Sequence, residues 1–169
     1  MKTFEMRRHF SFAVVLLGLT LQPVFAPGQQ LTVQAASGKQ TVLSRADLEA
    51  LPRVKFTMAY HDAAKPPTTF EGVLLGAVLA KAGVELGESL KGKGMASCLL
   101  VEAADGYRVV IALPEIDFVF TQKQFILVLL KDGKPLDDKE GPYRIVIPEE
   151  HRMARWVRQV TTLKIVDVQ

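Results

Sequence analysis

The stretch ASCLLVEAADGYRVVIAL, residues 96–113, decides the fold class. Two apolar runs, 96–103 and 107–113, meet at Asp105-Gly106, and an Asp-Gly pair between apolar runs is a strong hairpin signal, since glycine supplies the positive φ of a tight turn. A second signal of the same kind follows, where QFILVLL (124–130) and the segment around Pro135-Leu136 flank Asp132-Gly133. Strands that succeed one another through turns, with no helix between them, predict an α+β chain with a mixed or largely antiparallel sheet.

Working outward, the N-terminal side begins with a short strand at Leu31–Val33, a turn at Ser37-Gly38 and a strand through Val42. Ser44 then reads as a helix N-cap, with Asp47 three residues on to return a hydrogen bond and Leu43 and Leu48 spaced as a hydrophobic staple. Pro52 closes that helix. RVKFTMAY (53–60) alternates as a strand with one buried face, and the proline-rich HDAAKPPTT (61–69) reads as a surface loop. In FEGVLLGAVLAKAGV (70–84), Leu74, Leu75, Val78, Leu79 and Ala82 share one helical face and Gly83 suits the C-terminal cap. The Gly/Lys-rich segment from Gly87 to Gly94 reads as a flexible loop. On the C-terminal side, YRIVIP (143–148) and TTLKIVDV (161–168) supply the last strands, giving about eight strands and a few short helices with no internal repeat.

The first 28 residues stand apart. Lys2, Arg7 and Arg8 precede an apolar run of about a dozen residues, where a spanning helix needs roughly 20, so the pattern is that of a signal peptide. Small residues at Ala26-Pro27-Gly28 place the start of the product at Gln29, leaving residues 29–169 as one domain of about 140 residues. The net charge of +3 falls to about +1 without the signal, and no basic stripe interleaved with aromatics remains, which excludes nucleic acid. No membrane span is expected after signal removal, and the location implied is periplasmic or secreted. Arg7-Arg8-His9-Phe10 matches the twin-arginine pattern only in part, so both export routes stay open. The single cysteine, Cys98, forms no internal disulfide and reads as a core residue.

Chemistry-bearing residues concentrate in GPYRIVIPEEHRMARW (141–156). Arg144 alternates with apolar neighbours and either points to solvent from an edge strand or faces an anion pocket. Arg155 and Arg158 bracket Trp156, whose ring reads as core. Tyr107 follows the first hairpin turn, as a packing residue or a cavity wall. Glu115 reads as the cap of a short turn. His61-Asp62 and His151 lack a partner at metal-ligand spacing. The chain has no Gly-x-Ser-x-Gly elbow, no phosphate-cradling glycine loop and no cysteine beside an activating histidine, so side-chain catalysis has no visible support.

Several signatures fall in one order: Phe70-Glu71-Gly72-Val73 opening a helix that ends in KAGV, then Asp105-Gly106-Tyr107, then LLKDGKPL (129–136), then Gly141-Pro142-Tyr143-Arg144 with Pro148, and last Arg155-Trp156. Together they resemble the oxidoreductase molybdopterin-binding domain family, of sulfite-oxidase-type fold. The resemblance implies a cavity in which Arg144 and Arg155 hold anionic groups, with Tyr107 and His61 among the ligand-binding residues. Two departures accompany it. Relatives supply molybdenum with a cysteine thiolate from the loop before the Phe-x-Gly-Val segment, whereas this chain has Tyr60 and His61 near that place and no cysteine from Arg53 to Phe70. Where relatives carry a glycine-rich loop, this chain has Glu149-Glu150-His151-Arg152. The expectation is an exported, stand-alone, non-catalytic binding or accessory module for a small anionic ligand or a redox partner, without metal, molybdopterin being the cofactor the resemblance allows. Two alternatives stand beside it: an active molybdenum-pterin oxidoreductase with no cysteine ligand, and a structural partner domain of a redox complex.

Overall fold

The structure, a computed structural model, describes residues 29–59 and 64–168. The expected signal segment, Tyr60 and His61 therefore lie outside the described residues. In chain order the elements are β1 (Gln30–Gln34), β2 (Gln40–Ser44), α1 (Arg45–Glu49), β3 (Arg53–Met58), β4 (Thr68–Leu74), α2 (Leu75–Lys81), β5 (Cys98–Ala103), β6 (Arg108–Ala112), α3 (Leu113–Ile116), β7 (Ile126–Lys131), β8 (Lys134–Pro135), β9 (Arg144–Val146) and β10 (Val160–Val166). They form two sheets, one ordered β2-β1-β10-β5-β6 and the other β3-β4-β7-β8, with β9 also paired to β7. Every pairing is antiparallel except that of β1 with β10. This is the expected α+β class.

Local chemistry accounts for the turns. Gly106 takes φ 83°, and Asp132 and Gly133 take φ 50° and 74°, so both Asp-Gly pairs make the hairpins they announce. Ser44 and Asp47 form a complete capping box on α1, and the Ser44 hydroxyl bond is the main cause holding the Asp47 carboxyl below its ordinary range. Gly83, at φ 84°, ends α2 as expected. The segment between Gly87 and Gly94, expected to be a flexible loop, instead contains single 3-10 turns at Gly87–Ser89 and Gly92–Ala96 around the buried Leu90.

One helix is shorter than its periodicity predicts. Residues 70–74 belong to β4, and α2 starts only at Leu75. β4 is a central strand, hydrogen-bonded to β3 and β7, and Phe70, Gly72 and Val73 are buried with no clean alternation. Gly72 sits at the register shift between β4 and β7, where a Cβ would stand 2.1 Å from the Leu127 carbonyl oxygen. Glycine there is what lets the two backbones close.

Leu31, Leu99, Val101 and Leu163 of the first sheet and Phe70, Leu127 and Ile145 of the second belong to one buried apolar cluster, which Leu48 of α1 and Leu79 of α2 join. Among the described residues no helix is long and apolar enough to cross a membrane. The chain passes from the second sheet to the first along β9: the Ile145 N–H donates to Val157 O at 2.8 Å and the Val160 N–H to Tyr143 O at 2.9 Å. That crossing builds the site.

Candidate functional site

Beside the crossing lies a cavity of about 370 Å³ lined by Asp105, Tyr107, Glu140, Arg144, Met153, Ala154, Trp156 and Arg158. The residues come from the β5–β6 turn, the loop before β9, β9 itself, and the segment leading into β10. Arg144 does not reach into open solvent; its side chain is only 11% exposed. The guanidinium carbon stands 5.4 Å from the Phe70 ring centre and 5.6 Å from that of Trp156. Such placement over aromatic faces holds a planar cation in one orientation. Trp156 is itself fixed, because its indole N–H donates to Ile147 O at 3.0 Å and its ring meets Phe56 and Phe70 edge to face.

Charge in the cavity is largely compensated. Glu140 accepts from Arg144 through one carboxylate oxygen and from Lys131 through the other at 3.0 Å. The Glu140 backbone is held in turn by the Gln159 N–H, which donates to its carbonyl at 2.9 Å. Tyr107 is half exposed, yet its hydroxyl donates to Ala154 O at 2.7 Å, so the ring is pinned against the cavity wall. Tyr143, beside Arg144, points the other way into the core and donates to Gln29 O at 2.7 Å; burial pushes its phenol up to about 12.

Of the sequence-derived candidates, the structure brings Arg144 and Tyr107 together and places Arg155 elsewhere. Arg155 is outside the lining of this cavity and bonds Glu150 through Nε at 2.8 Å and Glu115 at 3.4 Å, with Lys123 completing the cluster. Burial pulls the Arg155 guanidinium down, but its bonds and attraction to the two carboxylates prevail and hold it above its ordinary value. Glu115 is thus an ion-pair partner, and no side chain caps α3. His61 is outside the described residues. Sequence reasoning missed Glu140 and Met153. Glu140 stands four residues before Arg144, and a spacing of four between opposite charges was the available signal.

Among the described residues no thiolate reaches the cavity. Cys98 is half-buried at the far end of β5, roughly 20 Å along the strand from the Asp105 turn at 3.3 Å per residue. The pocket also presents Asp105 and Glu140, which oppose a doubly charged phosphate more than a singly charged ligand. No reaction step through the cofactor follows from this arrangement.

A model of the oxidoreductase molybdopterin binding domain matches residues 23–169. Among solved structures, the chain is similar to the sulfane dehydrogenase SoxCD from Paracoccus pantotrophus, with a TM-score of 0.62 and 20% identity over 83% of this chain. It spans 38% of that longer chain. No curated protein matches it significantly.

Proposed function

The chain belongs to the oxidoreductase molybdopterin binding domain family and has the sulfite-oxidase-type fold, and from that premise we propose that it works as a non-catalytic binding module whose cavity receives a small oxyanion-bearing ligand. The observation that carries this reading is Arg144, held on the cavity wall by Glu140, Phe70 and Trp156, while Cys98, the one cysteine of the sequence, lies at the far end of β5. A guanidinium fixed in advance binds a carboxylate or another oxyanion without a further ordering cost. The basic-then-apolar start of the sequence supports work outside the cytoplasm.

Equilibrium binding of oxyanions and pterins to the wild-type protein and to Arg144→Ala tests the reading. The variant is expected to lose at least about tenfold in affinity, which is 1.4 kcal/mol. Equal affinity would remove Arg144 from the site. Metal analysis with pterin fluorescence, on protein made in a cofactor-producing host, is expected to find neither group. Near-stoichiometric molybdenum with pterin would replace this reading by that of an active oxidoreductase.

A second reading, docking on a redox partner protein, has one observation of its own. Phe118, Val119 and Phe120 are consecutive and 50%, 61% and 44% exposed. An exposed apolar run of this kind suits a protein contact. A co-purifying redox protein that is lost from Phe118→Asp would support it.

A further inference from the structure

We infer that the cavity is built for an aromatic monocarboxylate: a flat apolar body carrying one negative charge. This rests on the ligand-binding reading above and narrows the class of ligand. The first argument is charge. Arg144 and Arg158 line the cavity together with the two carboxylates Glu140 and Asp105, so positive and negative side chains of the lining are equal in number. A ligand with one negative charge beside Arg144 meets less opposition there than one with two. A phosphate dianion faces both carboxylates in a half-buried setting where uncompensated charge is costly.

The second argument is the wall. An exposed tyrosine after a hairpin turn normally moves freely, but the Tyr107 hydroxyl is bonded to Ala154 O at 2.7 Å, so its ring is a fixed platform. Met153, 51% exposed and adaptable in shape, lies on the same cavity, with the edge of the immobile Trp156 behind. Such a wall offers stacking area to a flat ring and nothing to a bare inorganic ion. The third argument is size: about 370 Å³ is near the lower bound of small-molecule pockets, roughly 300–1,000 Å³.

Calorimetric titration of the protein at fixed ionic strength with acetate, benzoate, 2-naphthoate and inorganic phosphate tests this. Benzoate and 2-naphthoate are expected to bind about tenfold tighter than acetate or phosphate, the worth of one aromatic contact. Tyr107→Leu should erase that preference, while Tyr107→Phe, which keeps the ring and loses the tether, should retain part of it. If acetate or phosphate binds as tightly as benzoate, the aromatic class is wrong and the oxyanion site stands. If none of the four binds, the ligand-binding reading itself fails.

Discussion

Replacing Glu140 by glutamine isolates the charge at the centre of the site while keeping its shape. Arg144 and Glu140 are only 11% and 14% exposed, so the pair belongs with buried ion pairs and not with surface ones. Removing one member of a buried pair costs 3–5 kcal/mol, because the other charge stays desolvated. The pair opens onto a cavity, and Lys131, about a third exposed, is readily rehydrated, so the lower value of about 3 kcal/mol is expected. Urea unfolding at low ionic strength should show that loss as a lower midpoint with an unchanged slope. The same change removes the internal competitor for anions. Sulfate at a hundred times its dissociation constant should then restore about 2.7 kcal/mol to the variant and far less to the wild type. A loss below about 1 kcal/mol, or identical sulfate dependence in the two proteins, would refute the view that Glu140 neutralises a desolvated Arg144.

Tyr143→Phe should cost about 1 kcal/mol at neutral pH, through the lost bond to Gln29, and should also flatten the alkaline limb of the stability curve. The buried phenol titrates at about 12 in the folded chain and near 10.0 when unfolded, so its contribution is complete below pH 10 and is lost as pH rises to 12. A wild-type minus variant difference that stays constant from pH 9 to 12 would contradict this. Gly72→Ala should destabilise by about 3 kcal/mol, since the new methyl meets the Leu127 backbone and not a yielding side chain. Thermal unfolding within about 1 kcal/mol of wild type would show that β4 and β7 can part there without penalty.

What the sequence disclosed was local. The Asp-Gly hairpins, the Ser44 capping box and the Gly83 cap need only neighbours in the chain, and each appears where those residues stand. Phe70–Leu74 misled because burial on both faces erases the period of two, while Leu74 and Leu75 extend the helical spacing backwards. The family frame singled out Arg144 and Tyr107, which line one cavity, but not their company: Tyr107 meets Ala154 from 47 residues away, and Arg155 meets Glu115 from 40. Glu140 went unread because a spacing of four suggests one helix face, whereas here a turn with a cis Gly141-Pro142 bond stands between the two charges. The pairing of β1 with β10 carries no local signal, since parallel partners so distant in sequence share no turn.

That pairing also makes the C-terminal strand a keystone. β10 runs between β1 and β5, so without residues 160–166 β1-β2 and β5-β6 are two separate ribbons with no strand to join them. The site depends on the same segment, for Trp156 and Arg158 stand just before β10 and are drawn against Arg144 by the same crossing. A chain stopped short of Val160 would carry every signature from Phe70 to Trp156 and still lack the strand that joins the two halves of the first sheet.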